Sequence, residues 1–87
     1  MIIRVYLYDD FDAFGVKILE LLKKCNLEYT FGTYSRENLE YISEEIGEKV
    51  RKLPQVVVDG ERIGGYFDLV EFLINNNLIN YKGELYE

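Results

Sequence analysis

The feature of this sequence that most limits its fold is a short apolar run followed at once by a helical repeat. Residues 2–8 read Ile-Ile-Arg-Val-Tyr-Leu-Tyr, a β-rich composition typical of a strand that is buried on both faces. The apolar side chains that follow recur at i, i+4, i+7, i+8 and i+11, the spacing of one helix stripe: Phe14, Ile18, Leu21, Leu22 and Cys25. Asp10 or Asp12 can cap that helix, because a carboxylate there accepts hydrogen bonds from free amides.

The middle of the chain repeats this alternation of strand and helix. Residues 27–33 alternate apolar and polar side chains, which predicts a second strand and, with the first strand and helix, a right-handed βαβ unit. Ser35 is the expected N-cap of a second helix. The apolar stripe of that helix is Leu39, Ile42 and Ile46.

The second half contains a hairpin and a last helix. Residues 55–58 follow Pro54, Asp59-Gly60 is a two-residue turn signal, and residues 61–63 supply the returning strand. Gly64-Gly65 breaks the chain before a helix with one apolar side: Tyr66, Leu69, Val70 and Leu73. Residues 76–87 lose the periodicity and are expected to form a partly ordered tail. The predicted order is β-α-β-α-β-β-α, one α/β domain over residues 1–87 with a mixed four-stranded sheet and helices on both faces.

Composition excludes several classes of function. One cysteine rules out a disulfide framework within the chain, and one cysteine without histidine argues against a structural zinc site. The net charge of -6 argues against nucleic-acid binding, which needs clustered Lys and Arg. No run approaches the roughly 18 apolar residues of a membrane span, so we expect no membrane association. The composition is that of a small acidic cytoplasmic protein.

The hairpin region carries a family resemblance. Residues 47–69 resemble the glutaredoxin stretch between the threonine-valine-proline motif and the glycine-glycine-x-aspartate-aspartate motif. Three features match at family spacing: Pro54 before a β-rich strand, the Asp59-Gly60 hairpin, and Gly64-Gly-Tyr-Phe-Asp68 at the start of the last helix. The resemblance extends in outline over residues 1–75 and implies the thioredoxin-like fold of a glutaredoxin. Compact glutaredoxins also occur in bacteriophages, so a viral source is one expectation.

The cysteines on which glutaredoxin chemistry depends are missing. The family carries Cys-x-x-Cys, or one Cys, at the N-terminus of the first helix, where the dipole and free amides favour a thiolate. Counting back from Leu21 places the motif on Asp12-Ala13-Phe14-Gly15, and counting forward from Tyr6 places it on Phe11-Asp12-Ala13-Phe14. Cys25 lies roughly ten residues, about 15 Å, further along the helix. We therefore predict no catalytic residue and no thiol–disulfide exchange at this position.

The resemblance nevertheless implies a groove. Pro54 matches the family's cis-proline, beside which the backbone binds a peptide or glutathione. Gly64, Gly65 and Asp68 match the part that holds the γ-glutamyl end of glutathione, although two glycines can equally form a mere tight turn. The full set of expected groove residues is Tyr8, Phe11, Asp12, Arg51, Lys52, Leu53, Pro54, Gly64, Gly65, Tyr66, Phe67 and Asp68.

Three aspartates beside this groove admit more than one interpretation. Asp9, Asp10 and Asp12 could hold a divalent cation, although their spacing matches no metal loop, and we predict no metal site. Asp12 could take the place of the thiolate at the helix terminus. The simplest interpretation is helix capping and surface charge. Four rings, Tyr6, Tyr8, Phe11 and Phe14, are expected around the former active site, with Phe14 in the core.

Two functions follow from the resemblance. The first is a redox-inactive binding module that docks a protein or peptide in the inherited groove, with a ribonucleotide reductase-type partner by family analogy. The second is a glutathione-binding protein with a residual role linked to thiol–disulfide redox. No cofactor is required, and glutathione is expected to bind weakly because it is an anion beside added acids. The expected location is the cytoplasm, or the host cytoplasm for a viral source.

Overall fold

The computed structural model describes residues 1–85 and contains four strands and three helices within them. The strands are β1 (Ile3–Tyr8), β2 (Thr30–Tyr34), β3 (Gln55–Val58) and β4 (Glu61–Gly64). The helices are α1 (Ala13–Lys24), α2 (Leu39–Ile46) and α3 (Tyr66–Asn75), and a short 3-10 turn at Arg36–Asn38 leads into α2. The predicted element order is confirmed.

The four strands form one mixed sheet in the order β2-β1-β3-β4. β1 pairs parallel with β2 and antiparallel with β3, and β3 pairs antiparallel with β4. Because β1 is central and covered on both faces, it is apolar along nearly its whole length. The fold class, an α/β thioredoxin-like sandwich, is confirmed.

Two apolar cores lie on the two faces of the sheet. One core joins Val5 and Leu7 of β1 to Ile18 of α1 and Leu69 of α3. The other joins the alternate residue Tyr6 to residues of and near α2, including Ile42, Val50 and Leu53. The alternation of side chains along β1 thus places α1 and α3 on one face and α2 on the other.

The connection into β2 differs from the prediction. The strand starts at Thr30, three residues later than predicted from the apolar alternation. Leu27 and Tyr29 do pack against the first core, but they do so from the turn that follows α1, where Asn26 adopts a positive φ of 57°. Their alternation therefore reflects packing of the connection and not strand pairing. Ser35 precedes the 3-10 turn without donating or accepting a side-chain cap bond.

The hairpin has the predicted turn. Asp59 and Gly60 both have positive φ, 51° and 82°, as a two-residue hairpin turn of this hand requires. The Asp59 carboxylate also accepts a hydrogen bond of 2.7 Å from the backbone N–H of Ile2, which fastens the start of β1 to the turn.

Part of the C-terminal segment, predicted to be a partly ordered tail, packs against the domain. Ile79 is fully buried in the core between the sheet, α1 and α3. Lys24 Nζ donates a hydrogen bond of 2.9 Å to the carbonyl of Gly83, and Ile79 forms an isolated bridge with Leu85. Residues 76–85 therefore dock on the domain, because one buried isoleucine anchors them, while residues 86–87 of the predicted tail lie outside the described part. No helix among residues 1–85 has the length and apolar content to cross a membrane.

Candidate functional site

The N-terminus of α1 is capped by a carboxylate. Asp12 is the N-cap residue in extended conformation, and its Oδ1 accepts hydrogen bonds from the amides of Phe14 (3.0 Å) and Gly15 (3.4 Å). Phe11 lies before the helix and donates its amide to Tyr8 O at 3.1 Å. Asp12, the first position of the frame counted back from Leu21, thus occupies the anion-stabilising helix terminus. The capping interpretation of Asp12 is confirmed by these bonds.

Gly15 allows α1 to approach the rest of the domain closely. A Cβ at this buried position would lie 2.8 Å from Phe11 Cδ2 and 3.2 Å from Leu7 Cδ2. The glycine therefore lets the half-buried Phe11 ring pack under the first turn of α1.

The thiol of Cys25 lies at the opposite end of α1. Cys25 is the C-cap residue and is half-buried against the first core. Burial raises the pKa of this thiol, and the nearby Lys24 lowers it to a lesser extent. A thiol with a raised pKa is a poor nucleophile at neutral pH, so Cys25 supplies no reactive sulfur to the α1 N-terminus.

The loop before β3 presents backbone groups. The Leu53–Pro54 peptide bond is cis. The Leu53 side chain is buried in the second core, and the buried Gln55 side chain donates to Lys52 O at 3.1 Å, so the loop is held from both sides. Among residues 1–85, neither the N–H nor the C=O of Leu53 has a hydrogen-bond partner. These two backbone groups therefore have no partner within the described residues, although Leu53 as a whole is only 5% exposed.

The Gly64-Gly65 turn is tied to the start of α3. Gly64 has φ +123°, and a Cβ there would lie 2.4 Å from Asp68 Oδ2. That same oxygen accepts the amide of Gly65 at 3.1 Å, so Asp68 caps its own helix. A Cβ on Gly65 would stand 3.7 Å from Pro54 O, which places this turn beside the proline loop. The two glycines therefore form a tight turn, and the hydrogen bond within this turn uses one carboxylate oxygen of Asp68.

Three aromatic rings form a cluster between the starts of α1 and α3. The Phe14 ring lies 6.0 Å from Tyr66 and 5.7 Å from Phe67, and Tyr66 lies 5.3 Å from Phe67, all between centroids. Phe14 is 40% exposed, so its predicted place in the core is wrong. It follows the helix stripe, but it lies in the first turn of α1, where the opposing surface is the start of α3.

An open cleft of about 290 Å³ adjoins these rings. Its lining combines the rings with the proline loop and the α1 N-terminus: Asp12, Phe14, Lys52, Leu53, Pro54, Tyr66 and Phe67. A smaller depression of about 90 Å³ is lined by five of the predicted groove residues: Tyr8, Phe11, Asp12, Leu53 and Pro54. The two hollows share Asp12, Leu53 and Pro54 at the α1 N-terminus, and we call them together the proline cleft.

The smaller depression contains an arginine that sequence reasoning missed. The Arg36 guanidinium stacks over the Tyr8 ring at 4.3 Å and donates to both carboxylate oxygens of Asp10, at 2.8 and 3.0 Å. The predicted βαβ unit could have indicated that Arg36 lies near Asp10. β1 and β2 are parallel with Tyr8 opposite Tyr34, so residues that follow the two strands meet at one sheet edge.

The three aspartates do not converge. Asp10 binds Arg36 and Asp12 binds its own helix, whereas Asp9 donates its backbone amide to Tyr34 O at 3.0 Å. Across the described residues 1–85, no group of three His, Cys, Asp or Glu side chains could hold a metal ion.

Not every expected residue lines the proline cleft: Gly64, Gly65 and Asp68 stand in the turn beside it. Arg51 is exposed and lines neither hollow. Tyr6 is buried on the α2 face, where its ring stacks on Tyr34 at 5.7 Å and its hydroxyl donates to Glu45 at 3.1 Å. Burial, with help from the Glu45 carboxylate, raises the pKa of Tyr6. The expectation that Tyr6 surrounds the site is therefore wrong, because successive residues of β1 alternate between faces.

Comparison with solved structures identifies the fold. Reduced Escherichia coli glutaredoxin superposes with a TM-score of 0.70 at 23% identity, covering 87% of this chain and 96% of that one. Glutaredoxin 1 from Francisella tularensis, complexed with cacodylate, gives 0.69 at 15% identity over 86% and 93%. A buckwheat glutaredoxin–glutathione complex gives 0.64 at 15% identity over 85% and 69%.

Neither a protein-family model nor a curated protein sequence matches the chain. At these sequence identities the structural similarity is evidence of a shared fold alone. The chain therefore has the thioredoxin-like fold of the glutaredoxins, with a carboxylate, that of Asp12, at the N-terminus of its first helix.

Proposed function

We propose that this chain is a redox-inactive binding module that docks an extended protein or peptide segment in the proline cleft. The observation that carries the proposal is one surface that combines unpaired backbone groups at Leu53 with three neighbouring rings and contains no thiol. The proposal includes the cytoplasmic setting expected from the composition.

The groups at the α1 N-terminus support the proposed lack of thiol chemistry. Thiol–disulfide exchange requires a thiolate sulfur that attacks a disulfide and is itself left in a mixed disulfide. Asp12 has no sulfur, and Cys25 stands at the far end of a 12-residue helix, about 18 Å long. The helix terminus that would stabilise a thiolate stabilises a carboxylate instead.

In the proposed docking, the backbone of Leu53 supplies contacts that do not depend on the sequence of the segment, and the aromatic rings supply specificity. An extended segment can pair with the free N–H and C=O of Leu53, in the manner of strand addition, whatever its sequence. Specificity then comes from the side chain placed against Phe14, Tyr66 and Phe67, since aromatic surfaces supply much contact area at low entropic cost. Phe67 is 71% exposed, which leaves ample ring surface to cover.

Glutathione binding is the second candidate, favoured by the buckwheat glutaredoxin complex and by Lys52 in the cleft. Two contacts weigh against tight binding. The Asp12 carboxylate lines the same cleft, and Asp68 already binds the Gly65 amide. An anionic tripeptide would therefore meet one repulsive group and one partly occupied partner, so we expect at most weak affinity.

The test selects peptides from a displayed random dodecapeptide library and compares two single variants. Phe14→Ala removes a ring of the cleft, whereas Phe31→Ala removes a ring of similar exposure, 48%, on the edge strand β2. We expect the selected peptides to lose affinity for Phe14→Ala and to keep it for Phe31→Ala. A synthetic copy should shift amide NMR signals of Lys52, Leu53 and Phe67.

An NMR titration with reduced glutathione separates the two candidates. Saturable shifts at Lys52–Gln55 and Gly64–Asp68 with glutathione, and no selectable peptide, would replace the docking role with the glutathione role. Peptides that bind Phe14→Ala as well as the native chain would refute docking in the proline cleft.

A further inference from the structure

A second groove lies on the surface next to the proline cleft. It measures about 450 Å³ and runs between α1, α3 and the docked C-terminal segment. Its floor is apolar, formed by Leu21, Val70 and the buried Ile79. Tyr81, 92% exposed, stands on its rim. We call it the lysine groove after its charged residues.

The charge of the lysine groove is opposite to that of the whole chain. Lys17, Lys24 and Lys82 line it, with Glu20 as the one carboxylate in the lining. The chain as a whole has a net charge of -6. The two ion pairs among residues 1–85 involve Arg36 and Arg62, so no lysine of the groove is neutralised in that part of the chain. A basic apolar groove on an acidic protein favours a ligand that is acidic and partly apolar.

The lysine groove adjoins the larger hollow of the proline cleft, with which it shares two lining residues. Tyr66 and Phe67 line both hollows. Lys17 stands at their junction, where its Nζ lies 5.5 Å from the Phe14 centroid and 5.8 Å from the Tyr66 centroid. A segment that leaves the proline cleft over Phe67 therefore meets the Lys17 ammonium next.

The separation of Lys17 and Lys24 sets the spacing of the carboxylates that a peptide ligand would need. Lys17 and Lys24 are seven residues apart on α1, which is two turns on one face and a rise of about 10.5 Å. An extended peptide advances about 3.3 Å per residue and covers this distance in roughly three residues. Lys24 is held in place by its hydrogen bond to Gly83 O, which fixes one end of the spacing.

We propose that the segment docked in the proline cleft belongs to an acidic peptide, which continues into the lysine groove and carries two carboxylates about three residues apart. This inference rests on the proposed docking function and adds the chemistry of the partner. The apolar side chains of the peptide cover Leu21 and Val70; one carboxylate meets Lys17, and the other meets Lys24 and Lys82.

The experiment uses the dodecapeptide library with the full chain and two matched double variants. Lys17→Gln/Lys82→Gln removes two charges from the groove, and Lys23→Gln/Lys49→Gln removes two exposed lysines outside it. We expect Asp and Glu to be enriched among selected peptides. A fluorescein-labelled copy should bind the first variant about five-fold more weakly, the loss expected for two exposed ion pairs, and the second almost unchanged. Glu20→Gln should strengthen binding.

The outcomes separate this inference from the function on which it rests. Neutral or basic peptides that depend on Phe14 would overturn the acidic partner and leave docking in the proline cleft intact. Equal losses in the two double variants would also overturn it, since they would show a response to net charge alone. Acidic peptides that depend on Lys17 and Lys82 but not on Phe14 would support the lysine groove and refute the proline cleft. A library that yields no binder would overturn both.

Discussion

The Asp12→Cys substitution tests whether the N-terminus of α1 retains the electrostatics of a thiolate site. We place it in a Cys25→Ser background, so that the new thiol is the only one. In the native chain two amides, of Phe14 and Gly15, point at the Asp12 carboxylate from 3.0 and 3.4 Å. A thiolate on residue 12 would meet the same two donors and the positive end of the helix dipole.

The size of the effect follows from those contacts. A charge at a helix terminus gains about 0.3–1 kcal/mol when exposed and up to about 2 kcal/mol in favourable geometry. One pKa unit corresponds to about 1.36 kcal/mol, and an ordinary cysteine has a pKa of about 8.5. With two donors aimed at an exposed position, we expect the pKa of the new thiol to fall by about one unit, to about 7.5.

The assay is the rate of alkylation by iodoacetamide as a function of pH. The control is Lys23→Cys in the same background, an exposed position in the last turn of α1, where the dipole disfavours a thiolate. We expect its pKa at or above the ordinary value. If the thiol at residue 12 titrated at the same pH as the thiol at residue 23, or higher, the account of this helix terminus as an anion-stabilising site would be refuted.

Two further predictions concern the stability of the fold. Ile79→Ala should lower the free energy of unfolding by about 3 kcal/mol because it empties a fully buried position, whereas Tyr81→Ala should change it by less than about 0.5 kcal/mol; equal urea midpoints would contradict docking of the C-terminal segment. Because burial raises the pKa of Tyr6, its unfolded form ionises first, so stability should fall as pH rises above about 10. Tyr6→Phe should show a smaller fall in urea midpoint over that range, and identical pH slopes would contradict the assignment.

Local patterns predicted most of the fold because the pattern and the tertiary contacts agree. The β1 run is apolar since both its faces are covered, and Asp59-Gly60 adopts the positive φ values that its hairpin requires. Periodicity did not predict burial correctly at positions where tertiary packing does not follow the periodic stripe. Phe14 follows the stripe of α1 but lies past the edge of the core, and Ile79 is buried without any periodic neighbours.

The candidate site was predictable to the extent that it is local in sequence. Asp12 as a helix cap, Pro54 beside a strand and the Gly64-Gly65 turn all follow from neighbouring residues. The Arg36–Asp10 pair joins residues 26 positions apart, and the lysine groove joins α1 to the docked C-terminal segment. Those contacts depend on how the strands and helices assemble, which no single segment encodes.

The central place of β1 in the sheet has a consequence for synthesis of the chain. β1 precedes both of its partners along the chain, since β2 and β3 begin at Thr30 and Gln55. The core on its α1 face closes only when Ile79 is added. A nascent chain therefore carries an apolar strand with at least one open edge until β3 has been made, an arrangement prone to intermolecular strand pairing. We expect this domain to need a chaperone most at the stage of synthesis before Ile79 has been added.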